Sequence, residues 1–310
     1  MRRSFAALTG SLIKAMRPKQ WVKNVFVFAG ILFARQHLLL RQDPVARSIA
    51  AFVFFCLISS SVYLFNDLID KPRDQRHPQK RLRPIASGDL PPWIAVVFVV
   101  AFPILCIGSS FGLALRSDPI DAGWLAFGVV LLVYMILQHA YSLVLKQIVL
   151  VDLFVITAGF VLRAVGGAVV ISVNMTAWWL LCIFFLALFL GLGKRRHELK
   201  ILADQAGAHR RTLRQYSPQL LDQLLWIDVA CIIMVYSQAT FTAPLASSMP
   251  FPFLMLTVPL VVFALFRYLY LIVQKGEGGE PAEILVRDRT LVCTIVVWGL
   301  MVLVIQTVSF

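Results

Sequence analysis

Asp67, Asp70 and Asp74 stand at i, i+3 and i+7 within Asn66-Asp67-Leu68-Ile69-Asp70-Lys71-Pro72-Arg73-Asp74. On a helix that spacing stacks three carboxylates on one face. Asn66, four residues before Asp70, joins the face as a neutral oxygen ligand. Unpaired carboxylates in such a stripe repel one another unless a cation sits among them. Hard oxygen ligands without His or Cys suit Mg²⁺ rather than Zn²⁺, and Mg²⁺ usually arrives with a substrate phosphate. The plainer alternative is a solvated helix end with Asp–Lys/Arg pairs, and Pro72 is expected to interrupt the helix there.

Basic residues stand close to the stripe. Lys80, Arg81 and Arg83 follow it in His77-Pro78-Gln79-Lys80-Arg81-Leu82-Arg83-Pro84, near enough for their loop to fold back over a bound diphosphate. In Arg17-Pro18-Lys19-Gln20-Trp21-Val22-Lys23-Asn24, Arg17 and Trp21 read as an interfacial anchor. Lys23 and Asn24 are expected to touch substrate, because Asn24 is already inside an apolar run. Lys194 and Arg195, nearest the apolar stretch before them, are the phosphate candidates of Lys194-Arg195-Arg196-His197-Glu198. Arg287, in Arg287-Asp288-Arg289, is a further substrate contact on a capping segment.

Asp152 and Arg163 are eleven residues apart, about 1100° of helix and within roughly 20° of three full turns, so they share a face. Arg163 then lies about 16 Å deeper than Asp152. A charge at that depth is expected to face inward and pair with a substrate phosphate or with a structural acid such as Asp228. His37, His77, His139, His197 and His209 do not cluster, and none is assigned a catalytic role.

The elements that must position these groups are apolar. The chain is 59% hydrophobic and 15% charged, with mean hydropathy +0.81, which excludes an ordinary soluble domain. Runs able to span a bilayer fall at about 21–40, 45–66, 91–115, 121–143, 149–172, 176–193, 220–245, 250–273 and 290–309. They imply an all-α integral membrane bundle of about nine helices, a single domain over 1–310, with a polar cavity facing the cytoplasm. Residues 1–20 lack the apolar core and cleavage site of a secretory leader, and Phe5 to Met16 reads as a basic amphipathic segment on the membrane surface.

The +13 net charge has a topological origin. The N-terminal segment, the 66–90, 194–219 and 274–289 connections and Lys146 together hold 23 of the 29 basic residues. That bias places them, and the N-terminus, on the cytoplasmic side of the membrane. Nucleic acid is not an expected partner. The five cysteines are scattered through apolar runs without metal spacing and read as packing residues. Gly159, Gly166 and Gly167 permit a close helix contact.

The Asn-Asp-x-x-Asp-x-x-x-Asp pattern at the end of the second apolar run resembles the signature of the UbiA superfamily of intramembrane prenyltransferases. In that superfamily the stripe holds Mg²⁺ against a substrate diphosphate. The resemblance makes Asp67 and Asp70 catalytic and Asn66, Asp67, Asp70 and Asp74 the metal set. Its second motif falls at Tyr141-Ser142-Leu143-Val144-Leu145-Lys146 with Asp152, which brings in Tyr141 as catalytic and Lys146 as catalytic and substrate-binding. Lys146 stands five residues after Tyr141, one more than the common spacing, and Asp152 alone replaces a second acidic pair.

Met16–Asn24, the stripe with His77–Ala86, Tyr141–Lys146, Gly193-Lys194-Arg195 and Gly279–Glu283 with Arg287-Asp288-Arg289 are together similar to the decaprenyl-phosphate phosphoribosyltransferase branch. Membership implies Mg²⁺-dependent transfer of 5-phosphoribose from phosphoribosyl diphosphate to a polyprenyl phosphate, for cell-envelope polysaccharide synthesis. The partners expected are therefore those two substrates and the membrane, with a homo-oligomer left open. The rival readings are transfer of a polyprenyl group to an aromatic acceptor and, in a different class, a secondary transporter with the buried Asp and Arg as ion relay.

Overall fold

Helix α3 (Gln42–Asp74) carries the acidic stripe and sets the scale of the fold. Its 33 residues extend about 50 Å at 1.5 Å per residue, against a hydrocarbon core of about 30 Å. A helix that outruns the bilayer can keep an apolar body in lipid and carry its last turns into a polar region. The structure, a computed structural model, describes residues 5–32, 42–203, 215–242, 251–276, 284, 285 and 287–308.

The order is α1 (Phe5–Met16), a 3₁₀ segment (Pro18–Phe28), α2 (Ala29–Leu32), α3, α4 (Pro92–Arg116), α5 (Ala122–Leu143), α6 (Val151–Val170), α7 (Ala177–Ala203), α8 (Pro218–Phe241), α9 (Val258–Val273) and α10 (Arg289–Val308). Short 3₁₀ turns at Lys80–Leu82, Leu145–Gln147 and Phe253–Thr257 complete it, and no strand occurs among the described residues. The all-α membrane class is therefore shown. Among the described residues, seven helices are long and apolar enough to cross a membrane, and Ala6–Met16 and Arg289–Ile305 are shorter apolar helices.

Two expectations need correction. Pro72 does not interrupt α3, which runs on to Asp74. A proline this close to a helix end removes one backbone hydrogen bond, and the turn behind it still closes through Gln75 N–H to the Lys71 carbonyl at 3.0 Å. The run expected at 21–40 is not one continuous α-helix where it is described: Pro18–Phe28 is 3₁₀, followed by one α turn (Ala29–Leu32), and the remainder lies outside the described residues.

The reason lies in close backbone packing. A Cβ added at Gly167 would stand 1.7 Å from the Val27 carbonyl oxygen, and one at Gly166 would stand 2.7 Å from the Phe55 ring. Gly167 thus admits the 3₁₀ backbone where a side chain would keep it out, and Gly166 admits the Phe55 ring of α3.

The chain divides into two compact units. One is built on α1 to α5 with the end of α6, the other on the start of α6 with α7 to α10. In the first, Phe55 packs edge-on against Phe127 and Tyr134, with centroids at 5.8 and 5.4 Å. Asp121 caps α5 by accepting the Gly123 and Trp124 N–H groups at 2.9 and 3.1 Å. In the second, Leu153, Phe189, Leu192, Leu225, Val229 and Tyr268 form the core. All five cysteines are unpaired.

Candidate active site

The 3₁₀ segment runs opposite to α3, and three side-chain ties fix its register. Asn24 Nδ2 donates to Ser59 Oγ at 3.3 Å and Cys56 Sγ at 3.2 Å. Trp21 Nε1 donates to Ser60 Oγ at 3.1 Å. Arg17, next back along the segment, then reaches the acidic end of α3, where Nη2 donates to Asp67 Oδ1 at 2.5 Å. Arg17 is therefore more than the interfacial anchor its position beside Trp21 implied. Sequence reasoning missed it because the register that carries it to Asp67 is tertiary.

The acid stripe is real as a face. Arg83 Nη1 donates to both Asp67 Oδ1 (3.1 Å) and Asp74 Oδ2 (2.7 Å), so carboxylates seven residues apart converge on one nitrogen. Asp67 is 2% exposed, while Arg83 and Arg17 keep 26% and 28% of their side chains in contact with solvent. Asn66 and Asp70 are half-buried on the same helix. Of the three loop cations, Arg83 returns to the stripe, Lys80 is half-buried and Arg81 is exposed.

Among the described residues no three His, Cys, Asp or Glu side chains form a ready-made metal cage. Two converging carboxylates with cation-compatible spacing nonetheless fit Mg²⁺, which is commonly held by one or two carboxylates and completed by substrate phosphate oxygens and water. The guanidinium nitrogen bridging Asp67 and Asp74 marks where positive charge is stabilised.

Deeper in the same unit, Arg163 Nε donates to Asn24 Oδ1 at 2.7 Å and Nη2 to Tyr134 Oη at 2.6 Å. Its guanidinium carbon also stands 4.8 Å from the Tyr134 ring centroid. Asp228, the structural acid considered for Arg163, belongs to the other unit, and both its carboxylate oxygens are buried without a hydrogen-bond partner among the described residues. Asn24, expected at the substrate, is engaged on its oxygen by Arg163 and on its nitrogen by α3. Tyr134 was not a candidate; its signal was a phenol in an apolar run seven residues before Tyr141, on the same helical face.

In the other unit Asp152 and Arg195 meet. Arg195 Nη2 stands 2.9 Å from Asp152 Oδ2, with 5% and 0% of the two side chains exposed, and Arg195 Nη1 donates to Glu198 at 2.6 Å. Tyr216 Oη accepts the Leu150 N–H at 2.7 Å and donates to Asp152 Oδ1 at 3.0 Å. Burial above all, and the neighbouring Asp152 carboxylate, push the Tyr216 phenol up to about 12, so it stays a donor at neutral pH.

The remaining candidates lie on several different elements. Tyr141 is half-buried in the last turn of α5, and Lys146 is half-buried in the 3₁₀ turn Leu145–Gln147. Lys23 is half-buried on the 3₁₀ segment, Lys194 is half-buried within α7 rather than at its end, and Arg287 is exposed.

A family model described as the UbiA prenyltransferase family matches residues 23–283. The chain is 35% identical to the decaprenyl-phosphate phosphoribosyltransferase of Corynebacterium glutamicum, over 94% of this chain and 85% of that one. It is 33% identical to the protein of the same name from Mycolicibacterium smegmatis, over 94% and 91%. A solved UbiA homolog from Archaeoglobus fulgidus, bound to DMAPP and Mg²⁺, superposes with a TM-score of 0.68 over 96% of this chain and 99% of that chain; at 14% identity this likeness shows the fold.

Proposed function

The chain belongs to the UbiA prenyltransferase family, and from that premise we propose that it transfers 5-phosphoribose from phosphoribosyl diphosphate to a polyprenyl phosphate. The observation that carries this reading is likeness along 94% of the chain to relatives named for that transfer. The site's charge distribution supports it, since a donor bearing a diphosphate and a 5-phosphate needs several cations around a small polar space.

Asp67 and Asp74, with Asn66 and Asp70 on the same helix, would hold Mg²⁺. The ion's contribution is charge neutralisation of the departing diphosphate. Arg83, which stands at the stripe, would orient diphosphate oxygens, with Lys80 and Arg81 in the same loop. Tyr141 and Lys146, in the region of the family's second motif, serve the ribosyl phosphate. An oxygen of the polyprenyl phosphate forms the new bond to ribose C1 as the bond from C1 to diphosphate breaks. That oxygen is already anionic near pH 7, so no residue has to remove a proton, and a site without a histidine base suffices.

Arg163 and Asn24 act on the substrate through position. Their mutual hydrogen bond, with Tyr134 and Ser59, holds the 3₁₀ segment and α3 in register beneath the stripe. The basic connections face the cytoplasm, where phosphoribosyl diphosphate is made, with the N-terminus on that side.

The test is direct. Purified protein with Mg²⁺, labelled phosphoribosyl diphosphate and decaprenyl phosphate should give a labelled lipid and release diphosphate. Formation of a prenylated aromatic from a prenyl diphosphate, with no labelled lipid from the first mixture, would replace this reading by the prenyltransferase one.

A further inference from the structure

Asp67 Oδ1 accepts two guanidinium groups, while Asp74 Oδ2 accepts only one of them. Arg83 by itself bridges the two acids, so Arg17 is a second cation on an oxygen already paired. The Arg17 guanidinium has five donors and directs one of them to Asp67. Its carbon lies 5.1 Å from the centroid of the Tyr63 ring, whose face attracts a cation without fixing its direction.

The backbone here is unusual as well. Arg17 is left-handed, φ 55 and ψ 62, between the end of α1 and Pro18. Glycine takes that conformation without penalty, whereas any other L-residue is strained by it. A long cationic side chain thus stands where the backbone alone favours none.

We propose that Arg17 exchanges anionic partners during binding: it neutralises Asp67 before a divalent ion arrives, then turns to the diphosphate of the donor. A divalent ion binds a carboxylate oxygen at about 2.0–2.1 Å. A guanidinium on the same oxygen would be a like charge within contact distance, so Arg17 leaves Asp67 Oδ1 when that oxygen takes an ion. The anion delivered with the ion is its new partner. The Tyr63 ring keeps the Arg17 guanidinium nearby in both states. Arg17 is then a competitor of the metal alone and an ally of the metal with its diphosphate.

This assignment rests on the proposed reading of the acidic stripe, and opposite signs in two titrations test it. Mn²⁺ binding to the full-length protein in lipid nanodiscs is followed through the free-ion paramagnetic signal, with Mn²⁺ alone and with Mn²⁺ plus inorganic diphosphate. Arg17→Gln and Arg17→Gly are compared with wild type; the glycine variant keeps the left-handed backbone and guards against misfolding. Both should bind Mn²⁺ alone about tenfold more tightly and the Mn²⁺–diphosphate pair about tenfold more weakly, the scale of one charged hydrogen bond. Asp67→Asn should weaken both. If the variants bind Mn²⁺ alone no more tightly than wild type, or lose both affinities together, the exchange role is wrong. Phosphoribosyl diphosphate as a third ligand separates the two readings: wild type that bound Mn²⁺–diphosphate but not Mn²⁺–phosphoribosyl diphosphate would sink the substrate and leave Arg17 standing.

Discussion

Each unit of this chain holds an arginine–aspartate cluster, and the two differ in how much water reaches the arginines. On α3, Asp67 and Asp74 are buried while Arg17 and Arg83 remain about one quarter exposed. Between α6 and α7, Asp152 and Arg195 are both sealed, and Glu198 and Tyr216 complete their hydrogen bonds. A buried acid facing a partly hydrated cation can exchange that cation for a metal or surrender it to a substrate anion. A buried acid facing a buried cation cannot do so without stranding a charge, which costs several kcal/mol. On the proposed function, the same two residue types make a site in one unit and a brace in the other.

The largest difference should appear when each acid is neutralised. Asp67→Asn should lower turnover by about 10²–10³-fold, the range seen when one transition-state electrostatic contact is lost, with thermal unfolding little changed. Asp152→Asn should instead cost about 3–5 kcal/mol of stability while folded molecules keep turning over. The comparison breaks if Asp152→Asn abolishes turnover at unchanged stability, for then the sealed pair touches substrate as the sequence pattern suggested.

Chelation separates the clusters in another way. Excess chelator should stop turnover, Mg²⁺ should restore it, and the unfolding midpoint should not move. Turnover persisting in metal-free buffer would remove the metal role from Asp67 and Asp74.

A paired replacement is a finer test. Asp152→Leu with Arg195→Met swaps a buried ion pair for apolar volume, a change that is often neutral or stabilising by about 1–4 kcal/mol. The double variant should recover most of the stability lost by Asp152→Asn. Asp67→Leu with Arg83→Met should recover no activity, because an exchangeable site needs its charges individually.

The smallest effect concerns a third pair, at the foot of α10. Arg267 holds the Asp288 carboxyl below the usual carboxylate range, against the opposing pull of burial. A folded-state value below the unfolded one of about 3.9 stabilises the fold above that value and ceases to do so as pH falls through the folded one. Arg267→Ala should therefore move the onset of acid unfolding to higher pH, read by tryptophan fluorescence.

What the sequence by itself determined was local and periodic. Apolar length marked α4, α5, α6, α8 and α10 within a few residues, because lipid demands a continuous apolar run with every backbone group bonded internally. Helices α3 and α7 run eight and ten residues past their apolar runs, α9 begins eight residues after its own starts, and amphipathic character marked α1 at Phe5–Met16. The i, i+3, i+7 spacing put Asp67 and Asp74 on one face, and Arg83 bridging them needed only a loop of nine residues to turn back. What the tertiary structure alone decided were pairings between distant segments. Gly167 lets the Val27 backbone approach α6, the segment there tightens to 3₁₀, and its register on α3 delivers Arg17 to Asp67 and Asn24 to Arg163. No spacing within one segment encodes which arginine meets which acid across helices. That choice depends on how closely two backbones approach, and here a missing Cβ sets the distance.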